Sequence, residues 1–370
     1  MKFTCEKNAL VSAISVASRT VAQKSTIPAL EGIYIRAGVK LTLSGYNLET
    51  GITISVDADI LETGACIMPS RLFFDIIRKL PDDTVSISVD ENFKVSIRGG
   101  ISSFSITAMS SEDYPELPEG DSEKGIDLPQ SELKAMIGGT SFAVSENQAR
   151  PIHTGCLFEV EDDSITVVAV DGYRLALRRW KAEAPIGRTL KFVVPAAALK
   201  EAEKILGDTD ETCTFFLGSK HILFTIGEAT LVCRLLEGEF LDWRRVLPQN
   251  QPIKLAVNVA KMTDSIERVG LIISEPLKSP VRCRFGENTA DFRSVSTIGE
   301  AHDVCQIAGD GQDMEIGFNC RYLLDALRAI PDAECSLELV NGLSPIVMNP
   351  CDGSGRYSYM VLPVRLKAGE

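Results

Sequence analysis

The side chains that most often carry out catalysis or bind metals are few and scattered in this 370-residue sequence. Its three histidines, His153, His221 and His302, lie in no HExxH segment and in no other metal-ligand spacing. No GxxxxGKS/T segment that would cradle a nucleotide phosphate is present. The segment GDGQD (309–313) is predicted to be a loop rather than a dinucleotide-binding turn. The sequence therefore predicts no catalytic residue, no metal site and no cofactor.

The acidic residues and cysteines favour structural roles. Carboxylates cluster as Asp57/Asp59 and as Glu161/Asp162/Asp163, in strand-edge and turn contexts where they are expected to be solvated. The ten cysteines include no CxxC pair, and most stand singly in apolar segments. Free cysteines in such segments behave as small core hydrophobes. We therefore expect reduced thiols in a cytoplasmic protein rather than a disulfide framework.

Three segments of the chain are copies of one another. They are MPSRLFFDIIRKLPD (68–82), VPAAALKEAEKILGD (194–208) and FNCRYLLDALRAIPD (318–332). Each has an apolar lead-in, a run with helical periodicity and a Pro-Asp or Gly-Asp stop. Each also has an acidic residue three positions before a basic one: Asp75/Arg78, Glu201/Lys204 and Asp325/Arg328. Such pairs support a solvated helix face, and the sequence leaves open whether the bases also contact a phosphate.

The spacing of the copies divides the chain into thirds. The segments begin 126 and 124 residues apart, and a chain of this length exceeds the size at which one core usually keeps growing. We therefore expect three domains of about 120 residues each. Linker-like composition at PELPEGDSEKG (115–125) and LPQNQP (247–252) places these domains at residues 1–124, 125–252 and 253–370.

Each third is predicted to contain two copies of a strand–helix–strand–strand–strand unit. The thirds open with KFTCEKNALVSAISVASR, IDLPQSELKAMIGGTSFAV and IKLAVNVAKMTDSIERVGLII, each a strand followed by a helix. Alternating segments such as ISVDADI and VSISV have the period of half-buried strands. This order favours an α+β fold in which antiparallel sheets carry the helices on one face. Six half-repeats give six helices, in an array that either stays open or closes by symmetry.

The overall composition is that of an ordinary globular protein, with 45% hydrophobic and 24% charged residues. The first residues, MKFTCEKNALVSA, lack the apolar run of a signal peptide, and no stretch approaches the roughly 18 apolar residues of a membrane span. A net charge of −13 argues against a protein that grips nucleic acid by bulk positive charge. It still permits basic residues to line one surface while the acidic excess lies elsewhere.

A set of motifs, taken in their order along the repeat, resembles the bacterial DNA sliding clamps, the beta subunits of DNA polymerase III. Besides the triplicated unit they are TIPAL (26–30), SENQARPIHTGCLFEV (145–160), VAVDGYRLALRR (168–179), GEFLDWRRVLP (238–248) and YMVLPVRL (359–366). The resemblance extends from Met1 to Leu366. It implies a head-to-tail homodimer that closes into a ring, with helices inside and sheets outside. Duplex DNA would pass through the hole, and replication proteins would dock on one face.

Sliding requires sparse, sequence-blind attraction to phosphates. The resemblance implies that basic residues on helices and loops supply it by facing the hole. The residues assigned to DNA are Lys24, Arg71, Arg78, Arg150, Lys200 and Lys204. Further basic residues lie on the first repeated helix, at Lys79, and on the third, at Arg321 and Arg328.

The resemblance also implies a pocket for short linear peptides with apolar anchors, between the second and third domains. Three distant segments supply its residues: Val170, Gly172, Arg174 and Leu175; Leu241, Arg245 and Val246; and Met360, Val361, Leu362, Pro363, Val364 and Arg365. Without the resemblance, MVLPVRL is a final edge strand interrupted by a proline. Apolar side chains with arginines around them suit a small groove with a polar rim. His153 stands where the family more often has an apolar residue, which predicts a different peptide preference.

A dimer seam is implied at Phe104 and Ile106, on a first-domain strand, and at Ile272 and Ile273, on a third-domain helix. The two ends of the chain would meet in a contact between unlike domains, and two copies of that contact would close the ring around a two-fold axis. The alternative for Phe104, which alternates with serines, is a core position in its own sheet.

We therefore expect a non-catalytic, cytoplasmic homodimer that encircles double-stranded DNA and acts as a processivity clamp. It would tether the replicative polymerase, the clamp loader and other replication or repair proteins through short linear motifs, without membrane contact. The rival interpretation is an open three-domain interaction scaffold with no role on DNA, and an enzyme ranks last.

Overall fold

The computed structural model describes residues 1–118, 124–273 and 280–366. The chain divides into two compact units, the first made of Met1–Lys134 and Glu201–Leu235, the second of Ala135–Lys200 and Leu236–Glu370. Both are sheet-rich.

Strands account for most of the regular structure. In chain order they are β1 (Lys2–Glu6), β2 (Gly32–Ala37), β3 (Leu41–Tyr46), β4 (Thr50–Val56), β5 (Asp59–Glu62), β6 (Gly64–Pro69), β7 (Thr84–Val89), β8 (Lys94–Gly99), β9 (Ser102–Thr107), β10 (Ile126–Pro129), β11 (Gly155–Val160), β12 (Ser164–Val170), β13 (Arg174–Lys181), β14 (Leu190–Pro195), β15 (Thr212–Leu217), β16 (His221–Ile226), β17 (Ala229–Arg234), β18 (Ile253–Asn258), β19 (Val281–Ser296), β20 (Gly299–Phe318), β21 (Glu334–Leu339), β22 (Ile346–Pro350) and β23 (Tyr357–Val361).

The six predicted helices are confirmed, and one short helix is added to them. The helices are α1 (Lys7–Ala17), α2 (Ser70–Lys79), α3 (Gln130–Gly138), α4 (Ala196–Ile205), α5 (Trp243–Val246), α6 (Val259–Gly270) and α7 (Cys320–Arg328). The additional one is α5, a single turn. No helix in the described ranges has the length and apolar character needed to cross a membrane.

The first unit contains two antiparallel sheets. One has the strand order β5-β1-β7-β8-β9, and the other has the order β10-β15-β16-β17-β4-β3-β2-β6. The pairing of β17 with β4 continues the second sheet from the first third of the chain into the middle third. Leu10 and Ile14 of α1 and Phe73 and Ile77 of α2 are fully buried in the core that these helices share with the strands. The helices therefore bury one apolar face each, as their periodicity predicts.

The second unit is built on one ten-stranded sheet with the order β14-β11-β12-β13-β23-β22-β21-β18-β20-β19. The pairing of β13 with β23 joins the middle third of the chain to the last third by main-chain hydrogen bonds. Asn319 is the N-cap of α7, and its Oδ1 accepts hydrogen bonds from the backbone N–H groups of Arg321 and Tyr322. This cap fixes the point where the chain leaves β20 and enters the helix.

The prediction of a loop at residues 309–313 was wrong, because β20 runs through it. Glu287 pairs with Asp310 and Phe285 pairs with Met314, so the residues between them bulge from the ladder. Gln312 within the bulge has a φ of 57°, a left-handed conformation that a bulge can hold. Pairing on both sides of the bulge keeps the strand continuous.

Candidate functional site

Three of the predicted pocket residues lie side by side on one face of the ten-stranded sheet. Val170 on β12 pairs with Leu175 on β13, and Leu175 pairs with Met360 on β23. From Met360 the same row of paired positions continues through Val347, Glu338 and Lys254. Because side chains at paired positions share a face of the sheet, this cross-strand row changes from apolar to charged along its length.

A covering segment, residues 236–248, packs over the apolar half of the cross-strand row. Its Phe240 and Trp243 are buried in a cluster that contains Val170, Leu175, Met360 and Val347. At the edge of the same cluster Val246, Leu247 and Leu362 are only partly buried. Here partly buried apolar side chains lie over a buried apolar floor. We call this surface the peptide groove, after the peptide site predicted from the sequence, and define it by Val170, Leu175, Val246, Met360 and Leu362.

A carboxylate fixes the covering segment to the sheet. Glu159 on β11 accepts a hydrogen bond of 3.1 Å from Trp243 Nε1 and one of 2.7 Å from Arg244 Nη1. Lys191 lies 3.2 Å from its other carboxylate oxygen. Burial by itself would raise the pKa of Glu159, but the hydrogen bonds from Trp243, Arg244 and Lys191 outweigh it and the pKa is lowered. The carboxylate is therefore ionised at neutral pH, the state that holds both donors.

Arg174 is buried and fully engaged, and it does not stand free at the rim. Its Nε donates to Asp171 Oδ2 at 2.9 Å, its Nη1 to Asp325 Oδ2 at 2.6 Å and its Nη2 to the Phe142 carbonyl at 2.6 Å. The guanidinium also lies 4.3 Å from the ring centre of Tyr322. Only 8% of Arg174 is exposed. Each of its three nitrogens already donates one hydrogen bond, so Arg174 positions the pocket strand.

A cleft of 840 Å³ opens beside the row and contains several predicted residues together. Its lining residues are Ser141, Phe142, Val144, Ser145, Glu146, Asn147, Arg150, His153, Val170, Asp171, Gly172, Tyr173, Arg174, Lys200, Leu241, Arg321, Tyr322 and Asp325. We call it the first cleft. Tyr173 and Tyr322 stack with ring centres 6.1 Å apart, and Tyr173 is 58% exposed. Basic residues assigned to DNA and apolar residues assigned to the pocket thus share one cavity.

His153 adds a partly enclosed imidazole to the lining of the first cleft. Its ring packs edge-on against Phe240 at 5.2 Å, and its Nδ1 is enclosed without a hydrogen-bond partner among the described residues. Burial and the neighbouring charge of Arg150 lower the pKa of His153. The imidazole is therefore neutral, and its Nδ1 remains unsatisfied. An apolar side chain at this position would have no such atom.

The remaining pocket residues differ in how they are placed. Leu241 is 43% exposed, and the exposed Arg245 pairs with Asp242 at 3.0 Å. Val361 is fully buried, because strand alternation turns it to the face opposite Met360.

The chain after β23 is held by main-chain bonds. The backbone N–H of Leu362 donates to the Tyr173 carbonyl, and that of Val364 donates to the Gly317 carbonyl. Pro363 lies between these two anchors, and Arg365 follows them exposed. Gly172 has a φ of 92°, and a Cβ added to it would meet nothing within 4 Å, so backbone conformation and not crowding favours glycine there.

Sequence reasoning missed Phe142, Tyr173, Tyr322, Phe240 and Trp243. They supply most of the aromatic surface of the first cleft and of the covering segment. One signal was available, since Tyr322 follows a predicted basic residue on the third repeated helix. The others lie in loops or, for Trp243, in the single turn of α5, and these segments are too short to show a period.

The basic residues assigned to DNA are all exposed, but their neighbours differ. Arg78 lies 3.4 Å from Asp75 and Lys204 lies 2.7 Å from Glu201, so these two predicted pairs are confirmed. The third predicted pair is wrong. Arg328 contacts Glu267 of α6 at 2.7 Å, because the Asp325 carboxylate is directed to Arg174.

Lys24, Arg71, Arg150 and Lys200 form no ion pair with any residue in the described ranges. Their charges are consequently the least compensated of the set. No three His, Cys, Asp or Glu side chains among the described residues are grouped so that they could hold a metal ion. All ten cysteines are free, nine of them buried and Cys351 exposed, which confirms their predicted structural role.

The residues predicted for the dimer seam lie on an edge strand and in a turn. Phe104 and Ile106 are on β9, an edge strand of the five-stranded sheet, and Phe104 is 40% exposed. The alternative that Phe104 is a core residue is therefore wrong. The placement of Ile272 and Ile273 on a helix is also wrong, since α6 ends at Gly270 and a tight turn follows it.

Three family models match consecutive parts of the chain. The N-terminal, central and C-terminal domains of the DNA polymerase III beta subunit match residues 1–118, 127–242 and 244–365. Among curated relatives, the beta sliding clamp of Staphylococcus epidermidis is 32% identical over 381 residues, and that of Staphylococcus aureus is 30% identical over 378 residues. Each alignment covers 99% of both chains.

Solved structures give the same result. A putative DNA polymerase III beta subunit from Eubacterium rectale has a TM-score of 0.93 at 32% identity, and the DNA polymerase sliding clamp from Bacillus subtilis has a TM-score of 0.93 at 29% identity. Both comparisons cover 99% of this chain and 100% of the other.

Proposed function

The chain belongs to the DNA polymerase III beta subunit family of sliding clamps, and from this membership we propose which of its residues hold DNA, partners and a second copy. As a sliding clamp it is a processivity factor for DNA polymerase III and not a catalyst. Three repeated domains, two chains to a ring, surround duplex DNA. We assign the domains to residues 1–124, 125–252 and 253–370, and the protein to the cytoplasm, where a bacterial chromosome is copied.

DNA is held inside the ring by few and weak contacts. Lys24, Arg71, Arg150 and Lys200 are exposed and lack ion-pair partners among the described residues, so each can meet a passing phosphate without first breaking an ion pair. Arg78 and Lys204 are partly neutralised by Asp75 and Glu201 and contribute less. Because the chain has a net charge of −13, its electrostatic affinity for DNA is low. The closed ring, rather than affinity, keeps the clamp on DNA.

Partner proteins dock by inserting apolar side chains of a short peptide into the peptide groove. The observation that carries this proposal is the meeting, in one cluster, of residues from three distant segments of the chain. Val246 and Leu362 are left partly exposed above a floor of Val170, Leu175 and Met360, which is the anatomy of a peptide site. The replicative polymerase, the clamp loader and other replication or repair proteins compete for it.

Two chains close the ring through unlike ends. The edge strand β9 offers unpaired main-chain groups, the exposed ring of Phe104 and the half-buried side chain of Ile106. The turn after α6, with Ile272 and Ile273, is the complementary patch. An exposed edge strand is a pairing surface unless something covers it, and here the second copy covers it.

The test of this function compares circular with linear DNA. The clamp, loaded on a nicked circular duplex, is expected to stay bound through gel filtration and to be lost once the circle is cut by a restriction enzyme. Equal retention on both forms would contradict a topological link and favour an open scaffold.

The groove is tested separately by replacing Val246 and Leu362 with serine. Binding of a clamp-binding peptide from the replicative polymerase should fall at least tenfold, since two apolar contacts are lost. The matched control is Val39→Ser, which changes a fully exposed valine in a hairpin turn. Unchanged affinity in the double variant would remove the groove from partner binding.

A further inference from the structure

A second cleft, of 640 Å³, lies at the polar end of the cross-strand row. Its lining residues are Leu247, Pro248, Gln249, Asn250, Gln251, Pro252, Lys254, Glu338, Val347, Asn349 and Ser358. One wall is the turn that follows the covering segment, and the other is the face of β18, β21, β22 and β23. None of the five residues that define the peptide groove lines this cavity.

The chemistry of the second cleft is that of uncharged amides. Gln249, Asn250, Gln251 and Asn349 each present a carboxamide, which has both donors and an acceptor. The two charged lining residues, Lys254 and Glu338, are 3.2 Å apart and pair with each other. A site without net charge and with mixed donors and acceptors is not suited to a phosphate or a metal ion. It is suited to a peptide main chain, which presents the same N–H and C=O groups.

Gln251 is the most buried of these four carboxamides. Only 8% of the residue is exposed, and its carboxamide has no hydrogen bond to any described residue. Among the described residues, the enclosed side-chain polar atoms that lack a partner belong to His153 and Arg178. The Gln251 carboxamide therefore still reaches the solvent of the cleft. A nearly buried amide with one open side is preorganised to bond a group that enters the cleft.

The turn that carries these amides is stiff. Pro248 and Pro252 fix two of its φ angles, and Asn250 has a φ of 64°, a left-handed conformation that asparagine tolerates better than most residues. A ligand that binds a stiff turn loses less free energy to ordering it.

The second cleft continues the peptide groove directly. Met360 and Val347 are paired neighbours, and the row proceeds to Glu338 and Lys254 without a break. Strands in a sheet lie about 4.8 Å apart, so Met360 and Lys254 are separated by roughly 14 Å. An extended peptide spans that distance with about four residues. Leu247 and Val347 belong both to the apolar cluster of the groove and to the lining of the cleft.

We propose that the second cleft binds the main chain of the residues that flank the apolar anchors of a partner peptide, with the Gln251 carboxamide hydrogen-bonded to a peptide group. This inference rests on the proposed peptide groove and extends it by about four residues. Because main-chain groups are common to all sequences, the cleft adds affinity without demanding particular side chains. Partners with the same anchor motif would then differ in affinity. The tighter ones would be those whose residues next to the anchors are extended and free to enter the second cleft.

The experiment uses the full-length clamp and three synthetic peptides from the replicative polymerase. One contains the anchor residues alone, and the other two add four native residues before or after them. One extended peptide is expected to bind roughly three- to tenfold more tightly than the anchor peptide, the range of one or two net hydrogen bonds. Gln251→Leu should remove that gain and leave the affinity for the anchor peptide unchanged. Gln23→Leu, at an exposed position in the other unit, is the matched control.

A second substitution keeps the test valid if Gln251→Leu folds poorly, which its thermal unfolding would show. Asn349→Ala changes a partly exposed residue on the opposite wall and should also reduce the gain from extension. The inference is overturned if neither extension improves binding in the wild type, or if the gain survives both substitutions. Failure of the anchor peptide itself to bind would instead overturn the peptide groove.

Discussion

Arg174 Nη1 donates a hydrogen bond of 2.6 Å to Asp325 Oδ2, and this bond joins the start of β13 to helix α7. The two residues are 151 positions apart in the sequence. The same guanidinium holds Asp171 and the Phe142 carbonyl and stacks on Tyr322. One buried cation thus joins the start of β13, the segment that carries Phe142 and helix α7.

Arg174→Ala should lower the free energy of unfolding by about 3 kcal/mol, because it leaves two carboxylates without their buried partner. Urea unfolding followed by circular dichroism measures this change. Arg245→Ala is the control, since that arginine pairs with Asp242 at the surface, where ion pairs contribute little. Similar losses in the two variants would mean that Arg174 is not the organising residue.

Loss of a basic side chain that has no ion-pair partner among the described residues should weaken the salt dependence of DNA binding. Arg71→Ala and Lys200→Ala are each expected to reduce the slope of log K against log salt by about 0.9, the value for one phosphate contact. Lys204→Ala should reduce it less, because Lys204 is already paired with Glu201 at 2.7 Å. The measurement is equilibrium binding to a duplex over a salt series. An equal effect of all three substitutions would show that the intramolecular ion pair does not matter.

Phe104→Ser should shift the clamp from dimer to monomer, since it removes an exposed aromatic ring from an edge strand. Sedimentation equilibrium would report a mass near the 40.3 kDa of one chain. Val39→Ser, which removes a side chain that is even more accessible but lies in a hairpin turn, should leave the dimer intact. A Phe104→Ser protein that sediments as a dimer at micromolar concentration would place the seam elsewhere.

The hold of Glu159 on the covering segment should be lost in acid. Because the pKa of Glu159 is lowered in the folded protein, its contribution to stability is complete above the ordinary value of 4.5. It disappears as the pH falls through the lowered pKa. Peptide affinity should fall over the same interval, since Glu159 binds Trp243 and Arg244 of the segment that borders the groove.

Fluorescence of Trp243 in a Trp180→Phe background reports this step, because the chain has only two tryptophans. Glu159→Gln, which lacks the titrating group, should show no such transition below pH 4.5. A transition that persists in the glutamine variant would have to arise from another carboxylate.

The helices could be predicted from the sequence because each carries a complete local signal. In α2, Phe73, Ile76 and Ile77 recur at helical spacing and are all buried, while Arg71 and Arg78 between them are exposed. The half-repeat order follows from the same periodicities. Local pattern was sufficient wherever one face of an element is buried and the other is solvated.

What could not be predicted depends on residues distant in sequence. Local spacing pairs Asp325 with Arg328, three positions away, whereas the fold pairs it with Arg174 from another third of the chain. Gln251 stands in a turn-rich stretch with the composition of a linker, and only the fold gives that stretch a wall opposite it. The bulge at Gln312 has the sequence pattern of a loop, because its left-handed residues interrupt the strand pattern without ending the pairing.

The pairing of β13 with β23 has a mechanical consequence for the peptide groove. Main-chain hydrogen bonds cross from the middle third of the chain to the last third in one uninterrupted ladder, from Arg174 opposite Val361 to Arg178 opposite Tyr357. The strands of such a ladder can slide past each other only when several hydrogen bonds break together. The boundary between the two thirds is therefore rigid at this point and does not act as a hinge. The peptide groove lies on this rigid boundary. We therefore expect a partner peptide bound in this groove to remain attached when other parts of the ring deform, so that tethering and ring opening are independent.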